Sequence, residues 1–102
     1  MTIYSQLASA IEDRRNIRVV YDGYTRDCSP HAIGLKNGEP HCLVYQFAGE
    51  TSDGPVEKES EDNWRCLVLL KIERLDFIGG DWHTSPNAEN LSSCIDEYDI
   101  EV

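Results

Sequence analysis

The chain reads as a mostly β, α+β domain in which an N-terminal helix packs on a small five-stranded barrel. Three observations predict it. Ile3, Leu7, Ala10 and Ile11 recur at helical spacing. From Ile17 onward the chain breaks into short runs rich in β-branched and aromatic residues. Asp22-Gly23 and Asn37-Gly38 then supply the dipeptides that favour tight hairpin turns.

The elements follow in order. Thr2 is placed to cap the helix, and Arg14 and Arg15 suit the negative end of its dipole. The apolar stripe makes the helix a lid over the following sheet. Arg18-Val19-Val20-Tyr21 reads as the first strand and leads into the Asp22-Gly23 turn. The second strand runs from Tyr24 to about Leu35, with a bend or an edge expected at Pro30, which has no N–H to give a ladder. The third, His41 to Phe47, puts Leu43, Tyr45 and Phe47 on one face and Cys42, Val44 and Gln46 on the other. Residues 48–63 are rich in glycine, serine and acid and read as a loop. A fourth strand from Trp64 to Leu70 and a fifth from Glu73 to Ile78 are separated by a corner near Lys71, and Gly79-Gly80 ends the compact part. Closing such strands on themselves removes exposed edges. The expected organisation is a domain over 1–80 and an acidic extension over 81–102, where Ile100 and Val102 alternate with Asp99 and Glu101 as in an edge strand. A disordered acidic tail is the alternative there.

Composition narrows the function. At 102 residues, 40% apolar and 27% charged, the chain is an ordinary globular domain. Nineteen acidic against nine basic side chains give a net charge of −10, which repels phosphate backbones at long range and disfavours general nucleic-acid binding. The acids crowd 50–62 and the stretch from Asp81, leaving the middle closer to neutral. No long apolar run opens the sequence and none approaches the ~20 residues that span a bilayer, so a soluble, cytoplasmic protein without membrane contact is expected. Cys28, Cys42, Cys66 and Cys94 lie far apart without secretory context, and free thiols are the expectation. Cys28, His31, His41 and Cys42 hold zinc-compatible atoms, but their spacing is not diagnostic, and no metal or other cofactor is assigned.

An ordered series of residues carries a family likeness. Tyr21, Arg26 and Pro30 give an early Tyr, then an Arg, then a Pro opening the next stretch of strand. Gly23, His31, Gly34, Gly38, Leu43, Tyr45, Gln46, Gly49, Ser52 and Gly54 follow in order. Arg65, Leu67, Leu69, Lys71 and Ile72 then fill a late strand of the pattern Arg, one residue, Phe, one residue, Leu, one residue, Arg, Ile, with two conservative replacements. This order resembles the WYL domain family over roughly residues 3 to 78. The Trp-Tyr-Leu triplet that names the family is His41-Cys42-Leu43 here. The resemblance implies an SH3-like or Sm-like barrel and a ligand-sensing role. Such domains are often attached to DNA-binding helices or defence enzymes, whereas this chain has no helix-turn-helix.

Convergence of Arg26, Arg65 and Lys71 would make a cationic pocket, with Tyr21, Tyr45 and Trp64 as stacking faces. His31, Gln46 and Ser52 are candidate polar groups at its mouth, and Gly49 and Gly54 would let a ligand approach the backbone. A guanidinium grips phosphate with two hydrogen bonds and a ring tolerates any base, so the expected ligand is a nucleotide or a short single-stranded nucleic acid. Without an output domain, the signal would pass through a regulatory protein partner or through homo-oligomerisation. The competing expectation is an acidic interaction module docking on a basic partner. An enzyme is not expected, because no carboxylate pair, Ser-His-acid set or phosphate loop stands at a usable spacing.

Overall fold

The computed structural model describes residues 2–51, 54–56, 63–85 and 93–102. Helix α1 (Ile3–Asp13) starts where the Thr2 hydroxyl accepts the Ser5 N–H at 3.0 Å. It ends at Arg14, whose left-handed backbone (φ 51°) turns the chain while the Arg15 N–H reaches back to the Ala10 carbonyl at 2.9 Å. Strands β1 (Asn16–Tyr21) and β2 (Tyr24–Lys36) are joined by Asp22-Gly23, and β2 and β3 (Glu39–Thr51) by Asn37-Gly38. All four of these turn residues have positive φ, as the primed hairpin turns require.

The sheet order is β4-β3-β2-β1-β6, where β4 is Gly54–Pro55 and β6 is Ile72–Ile78. Strand β5 (Trp64–Val68) pairs with β3, and β7 (Glu97–Glu101) pairs with β2. A single 3-10 turn, Leu69–Lys71, makes the corner between β5 and β6. The result is mostly β with one helix on a curled antiparallel sheet, a half-barrel of the α+β class. The pieces of secondary structure differ from expectation in three places. β3 continues to Thr51, the fourth strand gives way to the 3-10 turn at Leu69, and β4 adds to the five expected strands, while β7 lies in the tail read as an edge strand.

The curl has a local cause. The β2–β3 register shifts between Asp27 and Cys28 and again between Pro30 and Ala32, leaving His31 without a ladder partner. Each extra residue reverses the side-chain alternation and bends the strand. Cys28 and Ile33, five positions apart, therefore both belong to the inner core with Leu7, Ala10 and Ile11 of the helix and Ile17, Val19, Cys42, Val44 and Leu67 of the sheet. A second cluster, Ala32, Leu43, Tyr45, Trp64, Cys94 and Ile95, covers the other face.

The C-terminal segment is tied to that second face. Ile95 is buried, the Asp96 N–H bonds the Leu35 carbonyl at 2.8 Å, and the Asp96 carboxylate accepts from Lys36 Nζ at 3.0 Å and the Asn37 N–H at 3.1 Å. Cys94 forms a disulfide with Cys66, with Cα atoms 5.7 Å apart. This corrects the expectation of four free thiols. Cys66 alternates with Trp64 on the outward side of β5, and the backbone returning under it brings Cys94 into bonding range. Cys28 and Cys42 remain free and buried.

Candidate functional site

The inner face carries polar groups at one end of its apolar core. Arg26 stands on β2 opposite Val19 of β1 and Gly49 of β3. It is only 7% exposed. Its guanidinium carbon lies 5.3 Å from the Tyr21 ring centre and 5.7 Å from that of Tyr24, both within cation–π range. Among the described residues no salt bridge joins it to a carboxylate, and its Nε has no hydrogen-bond partner. The neighbouring backbone is unusually close: a Cβ at Gly49 would stand 2.3 Å from the Thr25 carbonyl oxygen, and its φ of 97° also calls for glycine.

Gln46 sits across from Cys28 and is fully buried. Its Nε2 donates to the carbonyls of Ala48 and Glu50, each at 3.2 Å, which fixes the amide and leaves Oε1 without a donor. Arg65 stands opposite Val44 on β5, and one of its terminal nitrogens donates to the Trp64 carbonyl at 2.9 Å. Burial pushes the Cys28 thiol up to about 12; the charge of Arg26 opposes this, that of Asp27 adds to it, and that of Arg65 opposes it again. Cys42 is driven up by burial too, so neither thiol carries appreciable thiolate at neutral pH.

Tyr21 is oriented by its hydroxyl, which accepts the Val68 N–H at 3.1 Å and links β1 to the end of β5. Lys71 is exposed in the 3-10 turn just before Ile72, which pairs with Tyr21.

The structure thus gathers Arg26, Tyr21, Gln46 and Arg65 on the inner face, and it sends two other candidates elsewhere. Tyr45 packs edge-on against Trp64 in the outer cluster, ring centres 5.5 Å apart, so neither ring stacks with Arg26. His31, displaced by the bulge, lies between Trp64 and Trp82 at 4.6 and 4.7 Å. Its Nδ1 donates to the Ser29 carbonyl at 2.7 Å, its Nε2 is buried without a partner, and burial lowers its pKa. Ser52 lies outside the described residues. Cys28 and Cys42 on the inner face and His31 on the outer do not meet, and the described residues hold no group of three or more metal-ligating side chains.

Sequence reasoning missed Tyr24, although its place two residues before Arg26 in one strand was a usable signal. It also missed a strap over the outer face. The Asn16 amide donates to the Asp81 carbonyl at 2.8 Å, the His83 N–H donates to Ser29 Oγ at 2.9 Å, and His83 stacks on Phe47 at 4.1 Å. Ser29 Oγ in turn donates to Asn16 Oδ1 at 2.6 Å, so this hydroxyl is fully engaged in holding the strap.

Fold and site together define a half-barrel that carries a buried, aromatic-backed guanidinium, Arg26, on its inner face, with Arg65 half-buried on the same face. No family model matches the chain, and neither a curated protein nor a solved structure matches it. Among the described residues no helix is long and apolar enough to cross a membrane.

Proposed function

We propose that this protein is a non-enzymatic, WYL-like binding module of the cytoplasm that senses a nucleotide or short single-stranded nucleic acid at the inner face. The single observation that carries this reading is Arg26, more than nine-tenths buried, backed by Tyr21 and Tyr24, with an unpartnered Nε. Among the described residues Arg26 has no counter-ion, and a buried unpaired cation costs several kcal/mol, roughly, which favours an anion that reaches it. The guanidinium suits a phosphate, the tyrosine rings suit a base, and the free Gln46 Oε1 suits a base N–H. Arg65 adds positive potential from β5, which lies beyond β3, and exposed Lys71 adds it at the corner.

The test is a low-salt thermal-shift panel of mononucleotides, cyclic nucleotides and short single-stranded oligonucleotides. A ligand at 100 times its dissociation constant stabilises by ~2.7 kcal/mol. The expected result is a shift with at least one of them that disappears in Arg26→Ala and weakens in Arg65→Ala. No shift with any anion overturns the reading.

A second reading, an acidic module docking on a basic partner, is favoured by one observation: Glu97, Asp99 and Glu101 stand exposed in succession along β7. It predicts binding that is lost when these three are reversed in charge and kept in Arg26→Ala.

A further inference from the structure

Among the described residues four strands pair on one side only, β4 and β5 with β3, β6 with β1 and β7 with β2, and the side chains of β6 and β7 treat a second copy of the chain in opposite ways. β6 hydrogen-bonds to β1 alone and β7 to β2 alone, and among the described residues no strand covers the other side of either. An uncovered strand offers a row of unpaired backbone donors and acceptors that another strand can satisfy. If β7 paired with itself in antiparallel fashion about Asp99, Asp99 would face Asp99 and Glu97 would face Glu101. Like charges directly opposite one another are destabilising, so β7 rejects its own copy.

The β6 edge does the reverse. An antiparallel pairing of two copies centred on Leu75 sets Leu75 against Leu75 and Arg74 against Asp76 twice over. The side chains of Arg74 and Asp76 are 73% and 51% exposed, and within one chain they bond only to each other, at 2.9 Å, among the described contacts. A two-fold axis perpendicular to the sheet keeps like faces together, so the pairing also continues the rows already present. On the outer face Asp27 of β2 stands opposite Arg18 of β1, bonded at 2.7 Å, and Arg18 stands opposite Asp76 of β6. Arg74 of a second copy would extend that alternation of sign by one strand. On the inner face Val19 stands opposite Leu75, and a second Leu75 followed by a second Val19 would extend the apolar row.

We propose that the open edge of β6 is the surface through which two copies of this chain associate, joining their half-barrels into one continuous sheet. Charge chooses this edge over β7 in a protein whose net charge of −10 otherwise keeps copies apart. The proposal does not depend on what the inner face binds.

Sedimentation velocity over a concentration series tests it, with Asp76→Arg, Arg74→Asp and the double exchange Arg74→Asp/Asp76→Arg. Both positions are exposed, and circular dichroism checks that each variant keeps the fold. The expected result is a concentration-dependent dimer that either single reversal weakens about tenfold or more, because each places like charges opposite one another twice in a symmetric interface, and that the double exchange recovers in part, since it restores opposite signs across the interface but removes the carboxylate facing Arg18 within the chain. A chain that stays monomeric up to millimolar concentration overturns the proposal. So does a dimer indifferent to Asp76→Arg, or one that the double exchange fails to rescue.

Discussion

The guanidinium of Arg26 lies 5.3 Å from the centre of the Tyr21 ring, and the hydroxyl of that ring accepts the Val68 N–H. One tyrosine thus backs the buried cation and latches β1 to the end of β5. Loss of the two groups should differ in kind. Arg26→Met removes a desolvated charge and keeps most of the volume, so chemical denaturation should find the unfolding free energy unchanged within about 1 kcal/mol or raised. Tyr21→Phe keeps the ring but strands the Val68 N–H, and should cost about 1–3 kcal/mol. A large loss in Arg26→Met would mean that the cation is structural.

Gly34 has no room for a side chain. A Cβ there would stand 2.0 Å from the Glu97 carbonyl oxygen and 2.8 Å from an Ile95 methyl. Gly34→Ala should displace β7 or the segment before it at a cost of about 1–3 kcal/mol. Hydrogen exchange should show faster amides over 97–101 with those of β1 unchanged; uniform protection in the variant would show that β7 adapts without strain.

The Cys66–Cys94 disulfide closes a loop with a sequence separation of 28. Chain-entropy arguments give such a loop about 3–4 kcal/mol of stabilisation. Reduction, or the double change Cys66→Ser/Cys94→Ser, should lower the denaturation midpoint accordingly. Cytoplasmic thiols tend to keep such pairs reduced. Mass spectrometry of alkylated protein from the producing cell should therefore find Cys66 and Cys94 free if the cytoplasmic reading holds.

Acid should weaken the outer face before it weakens the inner one. Burial lowers the folded-state pKa of His31, and the nearby positive charge of Arg14 acts in the same direction, while the bond to the Ser29 carbonyl opposes both. The fold therefore favours the neutral ring. Its contribution is complete above the unfolded value near 6.5 and is lost as pH falls below that value through the folded pKa. Asp96, held below the usual carboxylate range by Lys36 Nζ and the Asn37 N–H, loses its contribution only at lower pH, as it protonates. His31→Gln should flatten the pH dependence of stability between neutrality and the carboxylate range, and Trp82 fluorescence should report the same transition in the unmodified chain. An identical pH profile in the variant would remove His31 from the account.

How much was legible in advance follows from the range of the forces involved. The capped helix, the two hairpins at Asp22-Gly23 and Asn37-Gly38, the bend at Pro30, the two faces of the third strand and the corner near Lys71 all depend on residues within a few positions of one another. Turn chemistry and side-chain alternation act at that range, so the sequence by itself determined the α+β class and most strand boundaries. It also pointed to Arg26 and Arg65 as cations inside strands.

Tertiary structure decided the rest. Whether Tyr45 or Tyr24 shares a face with Arg26 turns on two register shifts between β2 and β3, one with Phe47 of β3 as the extra residue and one with His31 of β2, since a one-residue shift sends every later side chain to the opposite face. His31 was thereby taken from the cationic end and set between two tryptophans. The pairing of Cys66 with Cys94, the run of β7 beside β2 and the strap over Ser29 join residues 28 to 69 positions apart in the chain. Such contacts form only when the whole sheet has curled, because their energy depends on geometry that no local run of residues encodes.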